Sequence, residues 1–438
     1  MVPSSYNVRV ELDQGTSVVY NLLHQKIMRI NSGILSDELL ANLPQKVGER
    51  FYPFIVPDAD EECIYKDYLL NCLEFQSTRL NITLMMTMEC NFRCVYCFER
   101  TSSCSQHDTY ESINAEVFCN WVKEFVARYS IAEVSICFHG GEPMLEVEKV
   151  ATIAKTLRKF FDENHIFYCF SMVTNGYFLS KENCRTLANA DVRIVQVTID
   201  GLMPTHDSRR MLENGGGTFE QIVKNIDNLL EPTKLYMNVV FDQTTCSEIP
   251  MLLDYLVAHG YQSKIALVVL SPVKVIARDG KILDSGASHR EVALNMVKLT
   301  KEVISRGFRT PNLLVPQVCT IKQKSSFVIH PSGNIYKCIS AIGNPRFYIG
   351  RITEDRDPFD VQHRVLSRQD KACASCKYSV ICNRGCAYEA DITGVKACQR
   401  AYFETLVPEY VRLLVMDGGR FIVSAPERDE WVREYVSR

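Results

Sequence analysis

Several features that mark other protein classes are missing from this chain of 438 residues. The net charge is only −3, tryptophan occurs twice, and no internal repeat or low-complexity segment stands out. No apolar run approaches the ~20 residues that a membrane-spanning helix needs. The N-terminal residues also lack the continuous apolar stretch of a signal peptide. Without a basic excess, neither nucleic acid nor an anionic membrane is expected as a partner. We therefore expect a cytoplasmic protein.

Cysteine, in contrast, is abundant, with 18 residues. In a reducing cytosol this favours metal ligation over disulfide bonds. Ten cysteines lie in closely spaced groups, and we interpret the others as mostly small, buried apolar residues. The isolated cysteines are Cys63, Cys72, Cys104, Cys119, Cys137, Cys169, Cys184 and Cys246.

Strand-like and helix-like segments alternate between Asn81 and Arg306. The strand candidates are NITLMMTM, EVSICFHGG, IFYCFSMVTNG, VRIVQVTIDG, KLYMNVVFD and KIALVVLSPV. Each is rich in β-branched or aromatic residues. The segments between them have apolar residues at three- and four-residue spacing, which is typical of helices. This order predicts an α/β fold with a parallel sheet and outer helices. Apolar runs with little alternation suggest strands buried on both faces. Six units predict a partial (β/α)6 TIM-type barrel that is open at one side.

The segments before and after this region have a different character. YNVRVEL, SVVYNLL and KIMRI are typical of short antiparallel strands, and LSDELLANL and EECIYKDYLLNC of helices. They predict a small N-terminal α+β domain of winged-helix-like type. After Pro311 the chain is rich in cysteine and loops, and it ends in helical patterns such as ERDEWVREYV. The predicted domains are 1–79, 80–310, 311–400 and a helical tail, 401–438.

The first cysteine group, Cys90, Cys94 and Cys97 in ECNFRCVYCFE, follows directly on the first barrel strand. Active sites of parallel α/β barrels lie at the carboxyl ends of the strands. Three thiolates can hold three irons of a [4Fe–4S] cluster and leave the fourth iron open for another ligand. A structural zinc ion normally takes four protein ligands. The spacing therefore favours an open cluster, with a zinc site completed by a distant residue as the alternative.

A resemblance to a known family now becomes specific. CNFRCVYC resembles the cluster motif of radical S-adenosylmethionine (SAM) enzymes, and FHGGEP resembles their GGE segment, here Gly140, Gly141, Glu142 and Pro143. The resemblance implies that this segment hydrogen-bonds the amino group of SAM. We expect the glycines to let the backbone approach the ligand and Glu142 to place negative charge near the ammonium.

The implied chemistry is radical. An electron from the reduced cluster cleaves the sulfonium bond of SAM, and the resulting 5′-deoxyadenosyl radical abstracts hydrogen from an unactivated C–H bond. The protein supplies positioning and exclusion of water. The sequence identifies no catalytic acid or base.

Two further segments resemble the family more weakly. VTNGYFL and VTIDGLMPTHDSRR are similar to its TNG and S/T-x-DG...HD..R stretches. By this resemblance Thr198 and Asp200 face the carboxylate or ribose of SAM, and Asn175 and Arg210 are further contacts. As bare residues, Thr198 and Asp200 equally fit a strand end and a turn cap, and Arg210 an ion-paired surface arginine.

The remaining seven cysteines resemble the SPASM (twitch-type) extension of many radical SAM enzymes. Their spacing is CX13GX4C, then CX2CX5CX3C, then a final cysteine. The resemblance implies two auxiliary [4Fe–4S] clusters, three in all, and Ser325 occupies a position where some members have an extra ligand. A carboxylate could close the incomplete set, and a zinc knuckle is the alternative. The two implied ligand sets are Cys373, Cys376, Cys382 and Cys398, and Cys319, Cys338 and Cys386.

SPASM enzymes characteristically act on peptides and proteins, so the resemblance implies a ribosomally made precursor peptide as substrate. The predicted reaction is an oxidative crosslink, thioether or carbon–carbon, supported by a reductant such as flavodoxin or ferredoxin. The N-terminal domain is similar to leader-peptide recognition domains, where a peptide could add a β-strand. An unspecialised cap on the barrel is the other interpretation of that domain.

Three alternatives stay open. Sulfatase (formylglycine) maturases begin close to their first cysteine motif and carry an aspartate where this chain has Ile339, and both departures count against that activity. A radical SAM enzyme acting on a small molecule is the second alternative. The third is a non-enzymatic iron–sulfur electron carrier or zinc-binding protein.

Metal analysis of anaerobically purified protein separates the last alternative from the others. Three [4Fe–4S] clusters require about 12 iron atoms and about 12 sulfides per chain. About four iron atoms, or bound zinc, would contradict the three-cluster interpretation.

Overall fold

The computed structural model describes most of the chain. The described residues are 2–13, 15–31, 52–56, 78–101, 112–276, 281–315, 319–354, 373, 375–382 and 384–423. The predicted helices LSDELLANL, EECIYKDYLLNC and ERDEWVREYV lie outside them, as do Cys63, Cys72 and Cys104. Among the described helices, none combines the length and apolar character required to cross a bilayer.

The N-terminal strands form a small antiparallel sheet, with β3 between β2 and β4. Its strands are β2 (Asn7–Asp13), β3 (Thr16–Asn21) and β4 (Lys26–Asn31), close to the three predicted segments. A separate pair joins β1 (Val2–Pro3) to β5 (Ile55–Val56). Val18 and Tyr20 face the main core, whereas Val19 packs in a satellite cluster with Phe54, so both faces of β3 are buried.

The six predicted barrel strands are parallel and lie side by side in chain order. They are β6 (Arg79–Met85), β7 (Glu133–His139), β8 (Phe167–Thr174), β9 (Val192–Thr198), β10 (Lys234–Phe241) and β11 (Ile265–Pro272). The α/β class with a mixed, mostly parallel sheet is thereby confirmed. Closure and curvature of a barrel stay a prediction.

The sheet continues beyond β6 into the cysteine-rich region. Strand β15 (Ser326–Ile329) pairs in parallel with β6, and β16 (Asn334–Tyr336) and β17 (Tyr348–Arg351) follow as antiparallel strands. The sheet therefore crosses the predicted boundary at residue 310, and the domain division stays a prediction. Short pairs elsewhere join β12 (Lys274–Ile276) to β13 (Ile282–Asp284), and β14 (Thr310–Pro311) to β18 (Ile422–Val423).

Helices follow the strands, and several have side-chain caps. The Ser288 hydroxyl and the Glu291 carboxylate form a reciprocal capping box at the start of α8. The described helices are α1 (Phe98–Thr101), α2 (Ala115–Tyr129), α3 (Val147–Glu163), α4 (Lys181–Asn189), α5 (Met203–Arg209), α6 (Phe219–Ile226), α7 (Ile249–Ala258), α8 (His289–Ser305), α9 (Ser379–Cys382), α10 (Ala387–Thr393) and α11 (Arg400–Asp417). Short 3-10 helices lie at Pro143–Glu146, Tyr261–Ser263 and Ile339–Ala341.

The two faces of the parallel strands are buried to different extents, so the expected burial of both faces holds on only part of the sheet. On the second face, Cys169, Ile194, Tyr236 and Leu267 form a buried apolar cluster. On β7, Val134, Ile136 and Phe138 are fully buried in the main core, whereas the residues between them stay partly exposed. This second face carries polar side chains in adjoining rows, because parallel register places neighbours on the same face. Two such rows are Thr83–Cys137–Ser171 and Thr198–Asn238. The second face is therefore polar and partly exposed at positions such as Thr83, Ser171 and Asn238.

The C-terminal helix α11 fastens the N-terminal sheet to the rest of the molecule. Its Leu406 and Tyr410 are fully buried in the core that also contains Val8 and Val10 of β2. On its other side, Arg412 donates a hydrogen bond from Nε to the carbonyl of Glu11 at 3.2 Å. The first and last described segments thus share one hydrophobic core.

Replacing Leu406 with alanine should lower the free energy of unfolding by about 2–5 kcal/mol, since a buried leucine leaves both lost burial and a cavity. Met416→Ala on the same helix is the matched control, because Met416 is 81% exposed. It should change stability by less than about 0.5 kcal/mol. Denaturant unfolding of both variants measures this, and equal effects would contradict the assigned packing of α11.

Candidate active site

The first cysteine group forms a loop at the carboxyl end of β6, where the sequence predicted it. The amide of Arg93 donates to the carbonyl of Met211 at 2.8 Å, and the amide of Val95 to that of Arg209 at 2.9 Å. A further bond of 3.0 Å runs from the amide of Glu213 to the carbonyl of Asn91. The residues after α5 therefore act as a backbone template for the cysteine loop.

The two glycines of the GGE segment allow two stretches of backbone to touch. The amide of Gly141 donates to the carbonyl of Thr87, and the amide of Glu142 to that of Glu89, both at 2.8 Å. A Cβ on Gly140 would lie 2.4 Å from the carbonyl oxygen of Thr87, and one on Gly141 would lie 2.1 Å from that of Glu89. We expected the glycines to make room for a ligand. Their Cβ positions face Thr87 and Glu89, in the segment that connects β6 to Cys90.

Glu142 is fully buried, and its carboxylate is occupied by the protein itself. One oxygen accepts hydrogen bonds from the Thr174 hydroxyl at 2.6 Å and the Met144 amide at 3.0 Å, and the other from the Asn175 amide at 2.8 Å. Burial raises its pKa, and these donors oppose the rise. The expected charge contact between Glu142 and an ammonium stays a prediction. Glu142 ties the loop after β7 to the end of β8, and Pro143 begins the 3-10 helix behind it.

Asn175, at the end of β8, connects this loop to the cysteine motif. Its Nδ2 donates to Oδ1 of Asn91 at 2.8 Å and lies 4.0 Å from Sγ of Cys90. Its Oδ1 accepts a hydrogen bond from the amide of Tyr177 at 2.9 Å. The predicted contact residue Asn175 therefore borders the cysteine loop.

Asp200 and Arg210 meet at Tyr96, the aromatic residue inside the cysteine motif. The Tyr96 hydroxyl donates to Oδ2 of Asp200 at 2.5 Å and accepts a bond from Nη1 of Arg210 at 2.9 Å. Burial raises the pKa of this hydroxyl well above its usual range. Arg209 donates from Nε to the same Oδ2 at 2.9 Å and forms an ion pair with Asp242. Arg210 is thus a buried member of a charged network rather than a surface residue.

Three buried atoms of this network have no hydrogen-bond partner among the residues that the structure describes. They are Oδ1 of Asp200, Nη2 of Arg209 and Nε of Arg210. Leaving a buried polar atom unpaired costs about 1–3 kcal/mol, so such atoms normally meet a ligand or water. One acceptor and two donors therefore suit a polar ligand with both kinds of group.

The other predicted contact, Thr198, ends β9 and accepts a 3.3 Å hydrogen bond from Asn238. Ser271 in turn donates to Asn238 at 2.7 Å. These three side chains form a short chain across the second face of β9, β10 and β11. Thr198 therefore belongs to one of the polar rows and is itself buried, two residues before Asp200.

Both histidines near the site are interior. His206 accepts a 3.3 Å bond from the amide of Asp200, and burial lowers its pKa to about 3. His139 accepts a 2.8 Å bond from the amide of Gly140 and lies 3.7 Å from Glu99, and burial lowers its pKa to about 4. At neutral pH both imidazoles are uncharged, as structural residues often are.

The donor set of the first cysteine group fits an iron–sulfur cluster. All three thiols are partly buried, and burial raises the pKa of Cys90 to about 12 and that of Cys94 above its usual value. Metal binding would replace the proton with a cation. Within the described ranges, no three His, Cys, Asp or Glu side chains surround a single point as ligands of one ion do. Thiolates of a four-iron cluster bind different irons, so they need not converge.

The later cysteines are brought together in the two sets that the resemblance implied. Cys319, Cys338 and Cys386 pack against one apolar cluster that contains Ile321 and Tyr388. Burial raises the pKa of Cys338 to about 11, and the neighbouring Cys319 and Cys386 add to the rise.

The second set lies nearby. Burial raises the pKa of Cys382, and Cys373 and Cys398 contribute to it. The amide of Cys376 donates to the carbonyl of Cys373 at 3.2 Å, so these two adjoin. Burial lowers the pKa of Lys322, and the nearby Cys319 and Cys382 oppose the fall. One residue of each set therefore lies near this lysine.

Two charged residues accompany the three-cysteine set. Lys337 is 1% exposed, and its Nζ donates to the carbonyls of Gln323 and Ser326, the latter at 2.7 Å. Glu389 donates from its amide to Sγ of Cys386 at 3.4 Å and pairs through its carboxylate with Lys274 at 2.6 Å. Glu389 is therefore a carboxylate residue that adjoins the three-cysteine set at Cys386.

Sequence reasoning missed Arg209 and Asp242. Arg209 adjoins the predicted Arg210, and a single motif match gave no reason to separate the two. Asp242 ends the fifth barrel strand, KLYMNVVFD, so its position at the carboxyl edge was the available signal.

Comparison with known proteins agrees with this geometry. Residues 84–256 match the model of the radical SAM superfamily. The mycofactocin maturase MftC of Mycolicibacterium smegmatis is 24% identical over 335 residues, which cover 72% of this chain and 79% of that protein. A cysteine-type anaerobic sulfatase-maturating enzyme of Clostridium novyi is 23% identical, covering 68% of this chain and 84% of that protein.

A solved structure supports the fold. The sulfatase-maturating enzyme anSMEcpe, solved with bound AdoMet and the Cp18Cys peptide, superimposes with a TM-score of 0.62 at 16% identity. The match covers 77% of this chain and 99% of that one. At this identity the likeness concerns the fold alone.

Gly141→Ala tests the contact between the two backbones. The added Cβ would displace the segment directly before Cys90, so we expect loss of one cluster, a fall of about four iron atoms per chain. Gly260→Ala is the control, since its Cβ meets nothing within 4 Å although its φ is +76°. That variant should lose about 1 kcal/mol of stability and no iron. Full iron content in Gly141→Ala would refute the proposed role of the contact.

Proposed function

Because this chain is an enzyme of the radical SAM superfamily, we propose that it is a peptide maturase that installs an oxidative crosslink in a ribosomally made precursor. The observation that carries the proposal is the meeting of the cysteine loop, the GGE segment and the Tyr96–Asp200 network at one edge of a parallel sheet. Two relatives that match more than two thirds of the chain, MftC and the sulfatase-maturating enzyme of Clostridium novyi, are themselves maturases.

Membership of the superfamily implies a [4Fe–4S] cluster and SAM as cofactors. When bound, they supply a 5′-deoxyadenosyl radical that can abstract hydrogen from carbon. We assign the cluster to Cys90, Cys94 and Cys97. We assign SAM to the edge formed by Gly140, Gly141, Asn175, Thr198, Asp200 and Arg210, with Glu142 and Pro143 supporting it.

The chain's own residues would bind and orient the cofactor. Oδ1 of Asp200 is a buried acceptor suited to a hydroxyl or ammonium donor, and Nε of Arg210 is a donor suited to a carboxylate. Glu142 holds the loop after β7 against β8 through three hydrogen bonds and so fixes the backbone that faces the ligand. Water is kept from this edge by the burial of Asp200 and Arg210.

The second face of the sheet is the proposed substrate surface. Its rows carry neutral hydrogen-bonding groups such as Thr83, Ser171 and Asn238, which suit the amide groups of a peptide. The N-terminal sheet β2–β3–β4 is proposed as the recognition element for the leader, which could add a strand to it.

The later cysteines are proposed as ligands of two auxiliary [4Fe–4S] clusters, which makes three in all. A crosslink removes two hydrogens from the peptide, one as the abstracted atom and the other as an electron and a proton. Cys373, Cys376, Cys382 and Cys398, with Cys319, Cys338 and Cys386, would hold the acceptor of that electron. Flavodoxin or ferredoxin in the cytoplasm would supply the electron that starts each turnover.

Sulfatase maturation is the second candidate, favoured by the similarity to the Clostridium novyi enzyme. Ile339 speaks against it, since it packs beside an apolar cluster containing Met85, Val328 and Ile342. An isoleucine in such surroundings cannot serve as the base that the aspartate of sulfatase maturases is proposed to be.

The first experiment is anaerobic incubation with SAM and dithionite, followed by measurement of 5′-deoxyadenosine. Cys94→Ala should reduce its formation to background, because one thiolate ligand is removed. Cys246→Ala is the matched control, since Cys246 lies outside all three groups, and it should leave the rate unchanged. Unchanged formation in Cys94→Ala would defeat the assignment of the first motif.

The second experiment decides between substrates. Two peptides are incubated separately with the enzyme under the same conditions, one encoded beside the gene and the other a cysteine-type sulfatase peptide. The mass of each product is then measured by mass spectrometry. A loss of about two hydrogens from the first supports crosslinking. Conversion of the sulfatase cysteine to formylglycine supports the second candidate, and 5′-deoxyadenosine without change in either peptide points to a small-molecule substrate.

A further inference from the structure

Arg209 belongs to none of the assigned contact positions, yet it is the centre of the charged network. Its side chain is 12% exposed, and its guanidinium lies 5.0 Å from the centroid of the Tyr96 ring. One edge donates to Asp200 and another to Asp242. A planar guanidinium can serve two carboxylates and one aromatic face at once, which a lysine ammonium cannot do with the same geometry.

Asp242 is itself held firmly. Its Oδ1 accepts hydrogen bonds from the amide and the hydroxyl of Thr244, at 2.9 and 2.6 Å, and from the amide of Thr245 at 3.1 Å. Its other oxygen is left for Arg209. Although burial opposes ionisation, the bonds from Thr244 and Arg209 lower its pKa to about 2. Asp242 is therefore a fixed, charged anchor at the end of β10.

The chain of contacts runs from this anchor to the cysteine loop. Asp242 holds Arg209, which holds Oδ2 of Asp200, and the same oxygen accepts the hydrogen bond of Tyr96. Oδ2 of Asp200 thus accepts two hydrogen bonds. The other carboxylate oxygen, Oδ1, has no hydrogen-bond partner among the described residues and is available to a ligand. The orientation of the Asp200 carboxylate is thus set, through Arg209, by Asp242 at the end of the neighbouring strand β10.

We propose that Arg209, clamped between Asp200 and Asp242, is a positioning residue for SAM that presents Oδ1 of Asp200 to the ligand. The inference rests on the proposed function, in which Asp200 contacts SAM. Arg209 acts through Asp200 and Tyr96, whereas Arg210 reaches Tyr96 directly and carries its own unpartnered donor.

The test measures SAM affinity by equilibrium dialysis on anaerobically reconstituted enzyme, with iron content and the unfolding midpoint recorded for each variant. Asp242→Asn keeps the size of the side chain and removes its charge. It should weaken SAM binding about tenfold, the loss expected of one charge-assisted hydrogen bond, while iron content stays unchanged. Asp254→Asn is the matched control, because Asp254 pairs with Arg306 at 2.7 Å on the exposed surface, and it should bind SAM as the parent does.

Arg209→Lys is the second variant, which keeps the charge but cannot bridge both carboxylates. It should weaken SAM binding to a similar extent. Parental affinity in either Asp242→Asn or Arg209→Lys overturns the inference and leaves the proposed function intact. Failure of the unsubstituted enzyme to bind SAM overturns both, so the two failures are distinguishable.

Discussion

The site depends on the close approach of two backbones. The segment between β6 and Cys90 contacts the loop that follows β7. Two hydrogen bonds join their backbones, from the amides of Gly141 and Glu142 to carbonyl oxygens, and only glycine fits at positions 140 and 141. This contact fixes the cysteine loop relative to Glu142, and Glu142 fixes the loop relative to β8. Three consecutive strand ends are thereby locked in one arrangement before any cofactor is considered.

Buried charge is the second constraint. Asp200, Arg209 and Arg210 lie beneath the surface, where each unpaired ion would cost several kcal/mol. Ion pairs and hydrogen bonds between these side chains offset most of that cost. Three polar atoms of the network still have no hydrogen-bond partner among the described residues. A fold that accepts such a cost gains a preorganised surface, since a ligand that satisfies these atoms binds without reorganising the protein.

Much of this could be predicted from the sequence. The six parallel strands and the helices between them had clear periodicity, and the cysteine spacing indicated which thiols lie near one another, whereas their role as ligands stays a prediction. The side-chain roles were harder. The carboxylate of Glu142 accepts hydrogen bonds from Thr174, Met144 and Asn175, contacts that motif spacing did not reveal, and its contact with a ligand stays a prediction.

Residues far apart in the chain were the least predictable. Asp242 meets Arg209 only after β10 is placed beside β9. The sequence indicates that Asp242 lies at the carboxyl edge of its strand, but not which side chain it meets there. The expected burial of both strand faces holds only in part. Polar residues such as Ser135 and Ser171 stay partly exposed on the second face, whereas Ile194, Tyr236 and Leu267 on the same face are buried. Tertiary context decided which positions of that face stay exposed.

The pairing of β15 with β6 has a consequence for how such enzymes can be rebuilt. The strand that carries the first cysteine loop at its end has β7 on one side and a strand of the cysteine-rich region on the other. The C-terminal region is therefore not a detachable module, because removing it would expose an edge of the central sheet. Exchange of this region between enzymes would have to preserve the register of Ser326 against Asn81, or the shift would propagate into the sheet edge that carries the first cysteine loop.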